Sequence, residues 1–148
     1  MQFDAVLFDA ADTLFTTKGT VGAIYGMVAR KFGSFASDEE IQEAFIRQFR
    51  HSGPLSRTNE KAWWHDVVFR VFSDVGMVHS FDEFFEKVYD QFRDQRGWLL
   101  FPETRQVLET LKLHGLRLGV ISNFDSRIYG VLRSLDIGHF FKIGRAHV

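Results

Sequence analysis

Two short apolar runs, Ala5-Val6-Leu7-Phe8 near the start and Leu118-Gly119-Val120-Ile121 near the end, each stop at a polar residue, Asp9 and Ser122. The stretch between them is patterned almost wholly as helix. Strands that alternate with helices pair in parallel, because parallel neighbours need a long crossover connection where antiparallel ones can be joined by a tight hairpin. The chain is thereby steered to an α/β fold, and in an open parallel sheet ligands bind beyond the carboxyl ends of the strands. Asp9 and Ser122 both stand there. Asp is disfavoured inside strands, so these residues mark either two plain polar turns or a site.

The helical stretch has legible boundaries. The first strand spans Phe3 to Phe8 and a first helix Val21 to Phe32. Ser37-Asp38-Glu39-Glu40 has the capping-box pattern, in which Ser and Glu satisfy each other's orphan amides. It opens a second helix with Ile41, Ala44, Phe45 and Phe49 on one face. Gly53-Pro54 is a break. A third helix runs from Asn59 to Val75, its two apolar rows being Trp63, Val67, Val71 and Trp64, Val68, Phe72. So wide a stripe suits a helix packed on two sides.

Ser80-Phe81-Asp82-Glu83 reads as a second capping box, with Phe81, Phe84, Phe85, Val88 and Phe92 facing inward. Short connections predict a compact antiparallel bundle. Pro102 then suits the first turn of a helix, with Val107, Leu108 and Leu111 inward and Gly115 as its stop. A strand over Leu116 to Ile121 follows. Asp125 or Ser126 caps a helix with Ile128, Val131, Leu132 and Leu135 inward, and Phe140-Phe141 begins a third strand.

Composition narrows the function. At 148 residues, 45% hydrophobic and 25% charged, the chain is globular rather than disordered or membrane-spanning. A net charge of −1 gives no electrostatic footprint for nucleic acid. With no cysteine, thiolate catalysis, disulfides and Cys-ligated zinc are excluded. No two of the six His stand three or four residues apart, so a helical two-His metal face is absent. Neither strand is followed by Gly-x-Gly-x-x-Gly, which argues against a dinucleotide site. The N-terminus lacks a signal-peptide pattern and no apolar run approaches the ~20 residues of a membrane span. A cytoplasmic location is the default expectation, and nothing in the sequence sets the oligomeric state. Arg47, Arg50, His51 and Arg57 form a local basic cluster, most simply a solvated face, otherwise a contact for an anionic substrate.

Phe8-Asp9-Ala10-Ala11-Asp12-Thr13-Leu14 resembles the first motif of the haloacid dehalogenase-like hydrolases, an apolar strand followed by Asp-x-Asp-Gly-Thr-Leu. Leu118-Gly119-Val120-Ile121-Ser122-Asn123 resembles their second, an apolar strand ending in Ser or Thr. The helical insert has the size of the cap in the subfamily IA-like branch, and Phe124-Asp125-Ser126-Arg127 also looks like that branch. The resemblance implies a Rossmann-like parallel sheet core of residues 1–16 and 99–142, incomplete here, with a helical bundle cap over 17–98.

The same resemblance implies that Asp9 is the nucleophile, forming a covalent aspartyl intermediate. It implies Mg²⁺ as cofactor, held by Asp9 and the Ala11 carbonyl, and a small phosphorylated substrate held by Ser122 and Asn123. Phosphatases of the family carry a second Asp two residues after the nucleophile, as the acid for the leaving group. Ala11 stands there, and Asp12 stands where the family has Gly, a turn position that Asp tolerates. Family members that cleave carbon–phosphorus or carbon–halogen bonds also lack that second Asp, so phosphonatase and dehalogenase readings stay open. So does a non-catalytic relative with a binding role.

The family further supplies a Lys and acidic Mg²⁺ ligands downstream of Ser122, and Lys142 comes too soon to be that Lys. The last six residues, Ile143-Gly144-Arg145-Ala146-His147-Val148, are what ATC GGA AGA GCA CAC GTC encodes, a string similar to the start of a common short-read sequencing adapter. The expectation is a non-native tail over 143–148, a native polypeptide that continues past Lys142, and little or no activity from this fragment alone.

Overall fold

The computed structural model describes residues 2–56 and 58–142. Along the chain these form β1 (Ala5–Phe8), β2 (Phe15–Thr17), α1 (Val21–Ala29), a 3₁₀ turn (Arg30–Phe32), α2 (Asp38–His51), α3 (Glu60–Val75) and α4 (Phe81–Gln91). β3 (Trp98–Leu100), α5 (Thr104–Leu113), β4 (Arg117–Val120), α6 (Ile128–Ser134) and a second 3₁₀ turn (Gly138–Phe140) complete it. The expected tail over 143–148 lies outside the described residues. The chain divides into two compact units, one holding the N-terminal segment through Thr17 with everything from Phe92 onward, the other Lys18–Gln91.

The first unit is α/β. β1 and β4 pair in parallel with Ala5 opposite Arg117 and Phe8 opposite Val120. The ladder continues past both strand ends, where the Arg117 amide donates to the Asp4 carbonyl at 3.1 Å and the Ile121 amide to that of Phe8 at 2.8 Å. A second pair, β2 with β3, is antiparallel and joins Thr17 to Trp98. Trp98 Nε1 donates to the Phe92 carbonyl at 2.9 Å. These bonds tie residues 92–98 to the α/β unit, where sequence patterning assigns them to the insert. Phe15, Leu108, Leu118, Val131 and Ile137 are fully buried in this unit.

Four expectations change here. Phe140 closes a 3₁₀ turn instead of opening a third strand, although Phe141 is extended and the Lys142 amide donates to the Leu118 carbonyl at 3.1 Å. Pro102 lies in the turn before α5, whose N-cap is Glu103. Val107 is exposed, because the inward row is Thr104, Leu108 and the half-buried Leu111. Arg127, rather than Asp125 or Ser126, occupies the N-cap position of α6.

The second unit is a helical bundle with an aromatic core. The Phe84 ring meets those of Phe72 and Phe32 edge-on at centroid distances of 4.8 and 5.8 Å. Such pairs add to the burial of large apolar surfaces. The capping box at Ser37 is formed, its hydroxyl accepting from the Glu40 amide and the Glu40 carboxylate accepting from the Ser37 amide. Asn59 caps α3 through its side chain. Ser80 forms no comparable box: its φ of +48° is not the extended conformation of a capping Ser. Phe49, expected inward, is 46% exposed.

α1 approaches α2 closely because two of its positions lack side chains. A Cβ at Gly22 would overlap the Asp38 carbonyl oxygen and stand 2.7 Å from the Gln42 amide nitrogen. That amount of contact is possible only for glycine, and the Gly22 amide uses it to donate to Gln42 Oε1 at 2.7 Å. Gly22→Ala gains ~1 kcal/mol of helix propensity, but overpacking against unyielding backbone costs ~1–3 kcal/mol. The expected result is a net loss, read as a lower urea midpoint at unchanged m-value. A raised midpoint would mean that the helices separate without cost.

Candidate active site

Local backbone rules place Asp9 at the carboxyl end of β1. Apolar residues of β1 carry the chain to Phe8, and the segment after Asp9 then folds into a tight turn. The Thr13 and Leu14 amides both donate to the Ala10 carbonyl, at 3.1 and 2.8 Å. Ala10 and Leu14 are buried at 0% and 2% exposure, which anchors the turn to the core and leaves Asp9 in solvent. The Asp9 carboxylate accepts the Ala10 amide through Oδ1 at 2.8 Å. Asp12 has φ +61°, the left-handed conformation that favours glycine, and its Oδ1 accepts the Thr16 hydroxyl at 3.0 Å. Asp12 thus serves the turn.

Ser122 follows β4 on the same edge. Since Phe8 pairs with Val120 and the strands are parallel, Asp9 and Ser122 emerge together from the carboxyl ends of neighbouring strands. Ser122 Oγ accepts the Phe124 amide at 3.1 Å. A hydroxyl in that role still has its proton to donate. Asn123 is exposed beside it. The Phe124 ring packs on Phe15 and Trp98, at centroid distances of 5.9 and 5.1 Å, so the loop after β4 is moored to the β2–β3 pair.

Ala11 bridges to Phe15 inside the turn. A carboxylate from Asp9 and a backbone carbonyl from Ala11 are oxygen donors of the kind Mg²⁺ takes, and that ion usually keeps several waters and completes its shell from substrate phosphate. Two such donors fit as part of a Mg²⁺ site. Among the described residues no group of three His, Asp or Glu side chains is placed to hold a metal.

The basic cluster divides. Arg47 pairs with Asp74 at 3.2 Å, and Gln48 Nε2 donates to the same carboxylate at 2.7 Å. The Gln48 bond and then that of Arg47 hold the Asp74 carboxyl below its usual range. Arg47 is therefore engaged in joining α2 to α3, His51 Nδ1 contacts the Arg47 carbonyl, and Arg57 lies outside the described residues. Two buried side chains to which the sequence assigns no part in the site contact the segments around Asp9 and Ser122. Thr104, one residue into α5, donates from its hydroxyl to the Leu14 carbonyl at 2.7 Å. Asp125, which the sequence offers as a helix cap and within the branch-like stretch Phe124-Asp125-Ser126-Arg127, is 3% exposed and paired with Arg127.

Comparison with known proteins agrees with this architecture. Residues 3–146 match the haloacid dehalogenase-like hydrolase family. The chain is similar to "Haloacid dehalogenase-like hydrolase domain-containing protein 3" of Mus musculus and of Homo sapiens, each 29% identical over 150 residues covering 95% of this chain. It spans 60% of the length of those two relatives. Among solved structures, a dehalogenase superimposes with a TM-score of 0.64 at 17% identity, over 93% of this chain and 59% of that one. A HAD phosphatase from Thermococcus onnurineus gives 0.51 at 21% identity, over 95% and 60%. At those identities the likeness is one of fold. No helix among the described residues is long and apolar enough to cross a membrane.

Proposed function

Because the chain belongs to the haloacid dehalogenase-like hydrolase family, we propose that it carries the nucleophile-bearing part of a Mg²⁺-dependent phosphatase for a small phosphorylated metabolite. The observation that supports this most is the emergence of Asp9 and Ser122 from the same carboxyl edge of β1 and β4. An Asp9 oxygen attacks phosphorus, the bond from phosphorus to the leaving oxygen breaks, and that oxygen keeps the electron pair and takes a proton from water. Water then hydrolyses the aspartyl phosphate. The Ser122 hydroxyl donates to a phosphoryl oxygen and Asn123 orients the loop. Asp9 and the Ala11 carbonyl would hold Mg²⁺, whose charge would offset repulsion between the carboxylate and the anionic phosphoryl group. A cytoplasmic setting, with neither nucleic acid nor membrane as partner, belongs to the same proposal.

Further groups, a Lys and acidic metal ligands, are proposed to come from protein outside this segment. The test uses p-nitrophenyl phosphate with Mg²⁺. A longer protein containing the segment is expected to turn over slowly and to stop when EDTA removes the metal, while the segment alone stays near background. Equal rates from the two, or turnover indifferent to EDTA, would sink the proposal.

Ala11 has its own consequence. A positioned general acid is worth ~10²–10⁴-fold, and an activated nitrophenolate leaves without one. Ala11→Asp in the longer protein is therefore expected to raise kcat/KM by ~10²-fold on an alkyl phosphate and far less on p-nitrophenyl phosphate. Equal gains on both would show that the new carboxylate acts otherwise than as an acid.

A further inference from the structure

Among the described residues, the buried polar or charged side chains are Thr104 and Asp125, at 4% and 3% exposure. A polar group removed from water is costly unless it is bonded. Both are bonded, and each bond lies behind one of the two candidate reactive residues. We infer that Thr104 and Asp125 are positioning residues of the Asp9–Ser122 site, Thr104 holding the turn that follows Asp9 and Asp125 the loop that carries Ser122. The inference rests on the proposed function for what is positioned, and on the structure for how.

Thr104 Oγ1 donates to the Leu14 carbonyl at 2.7 Å, between residues 90 apart in sequence. Leu14 closes the turn begun after Asp9, since its amide donates to the Ala10 carbonyl at 2.8 Å. The hydroxyl thus pins the far end of that turn to the start of α5. Helix formation does not require it, because the bond leaves the helix for a distant carbonyl.

Asp125 takes three hydrogen bonds from Arg127: from its amide to Oδ1 at 3.0 Å, from Nε to Oδ1 at 2.9 Å and from an Nη to Oδ2 at 2.6 Å. The Arg127 side chain is itself only 9% exposed. Fork-shaped pairing of this kind is directional as well as strong, and it locks the backbone immediately after Phe124. The Phe124 amide in turn donates to Ser122 Oγ at 3.1 Å. The turn and the loop also meet at one residue. Phe15 accepts the Asp12 amide at 2.7 Å through its carbonyl and carries the Phe124 ring on its own. Reacting groups on two loops must keep a fixed separation, and a misplacement of about 1 Å costs ~10²-fold in rate.

The test reads position before chemistry. In the 148-residue chain, amide hydrogen exchange is followed by NMR for Thr104→Val, which keeps the shape and loses the donor, and for Asp125→Asn. The Thr13 and Leu14 amides are expected to exchange about tenfold faster in the first and the Phe124 amide about tenfold faster in the second. The Arg117 and Val107 amides serve as controls and keep their rates, while Thr104→Ser restores the wild-type pattern. Should either variant fail to fold, Thr104→Ala and Arg127→Lys probe the same bonds. Unchanged site amides, or a uniform rise that includes the controls, would overturn the inference.

In the longer protein, the same variants are expected to lower kcat on p-nitrophenyl phosphate about tenfold or more, with KM changed far less. Unchanged kcat alongside locally faster exchange would also overturn it. If the wild type shows no turnover that Asp9→Asn removes, it is the functional reading that fails. The exchange rates then still decide whether Thr104 and Asp125 hold the two segments.

Discussion

Asp9→Asn is expected to abolish turnover of p-nitrophenyl phosphate by a longer protein containing this segment, with a loss on the order of 10⁴–10⁶ in kcat, the scale seen when a nucleophile is removed. The substitution exchanges one carboxylate oxygen for an amide nitrogen, which cannot supply the electron pair that forms the aspartyl phosphate. It should leave the fold alone. Asp9 is exposed, and the bond its Oδ1 accepts from the Ala10 amide at 2.8 Å is one that an asparagine oxygen can also accept. The thermal midpoint is therefore expected to stay within error of wild type while activity disappears. Asp9→Glu makes a second point. It keeps the charge and moves it by about one methylene, and a displacement near 1 Å costs ~10²-fold. Activity that survived Asp9→Asn would show that another residue attacks the substrate.

Phe84→Ala is expected to be the most destabilising substitution in the helical unit. Phe84 is 0% exposed and its ring contacts Phe72 at 4.8 Å and Phe32 at 5.8 Å, joining α4 to α3 and to the turn after α1. Truncating a buried Phe removes its transfer free energy and leaves a cavity, at a cost of ~3–5 kcal/mol. Domains of ordinary stability hold only ~5–15 kcal/mol in reserve, so a large share of the unit's stability goes with one ring. Urea unfolding followed by aromatic fluorescence should show the midpoint fall steeply. Phe84→Leu, which refills most of the volume, should cost less than half as much. A loss below ~1 kcal/mol for the alanine variant would mean that the surrounding rings collapse into the space.

Much of the candidate site was legible because its signals are local. The strand preceding Asp9 ends where its apolar run ends, and β4, preceding Ser122, ends at Val120, one residue before its run does, with the Ile121 amide still bonded to the Phe8 carbonyl. Parallel pairing of the two then puts them on one edge by topology alone. The capping box at Ser37 is likewise a matter of four consecutive residues, and it forms as written. Ser80-Phe81-Asp82-Glu83 carries the same Ser-x-x-Glu pattern without the same outcome. The His79 amide donates to the Phe32 carbonyl at 2.9 Å, which draws the entry to α4 toward the 3₁₀ turn after α1, and Ser80 takes φ +48°. A tertiary bond therefore accompanies a conformation that the local pattern does not predict.

What the sequence by itself determined is the order of the helices and of β1 and β4, the separation of a helical insert from an α/β core, and the two residues set at the ends of those strands. These follow from periodicity and from chemistry that acts over one turn of chain. Tertiary structure alone decided the pairing of Phe15–Thr17 with Trp98–Leu100, segments of three residues each and too short to announce a strand. It also decided that Phe140 closes a turn and that Val107 faces solvent. Above all it decided the burial and the partners of Thr104 and Asp125. A threonine in the first turn of a helix is unremarkable until the Leu14 carbonyl, 90 residues away, is brought to its hydroxyl. An aspartate two residues before an arginine is an ordinary surface pair until burial to 3% exposure removes the water that would otherwise weaken it. Burial and long-range contact are properties of the folded chain, and no window of sequence contains them.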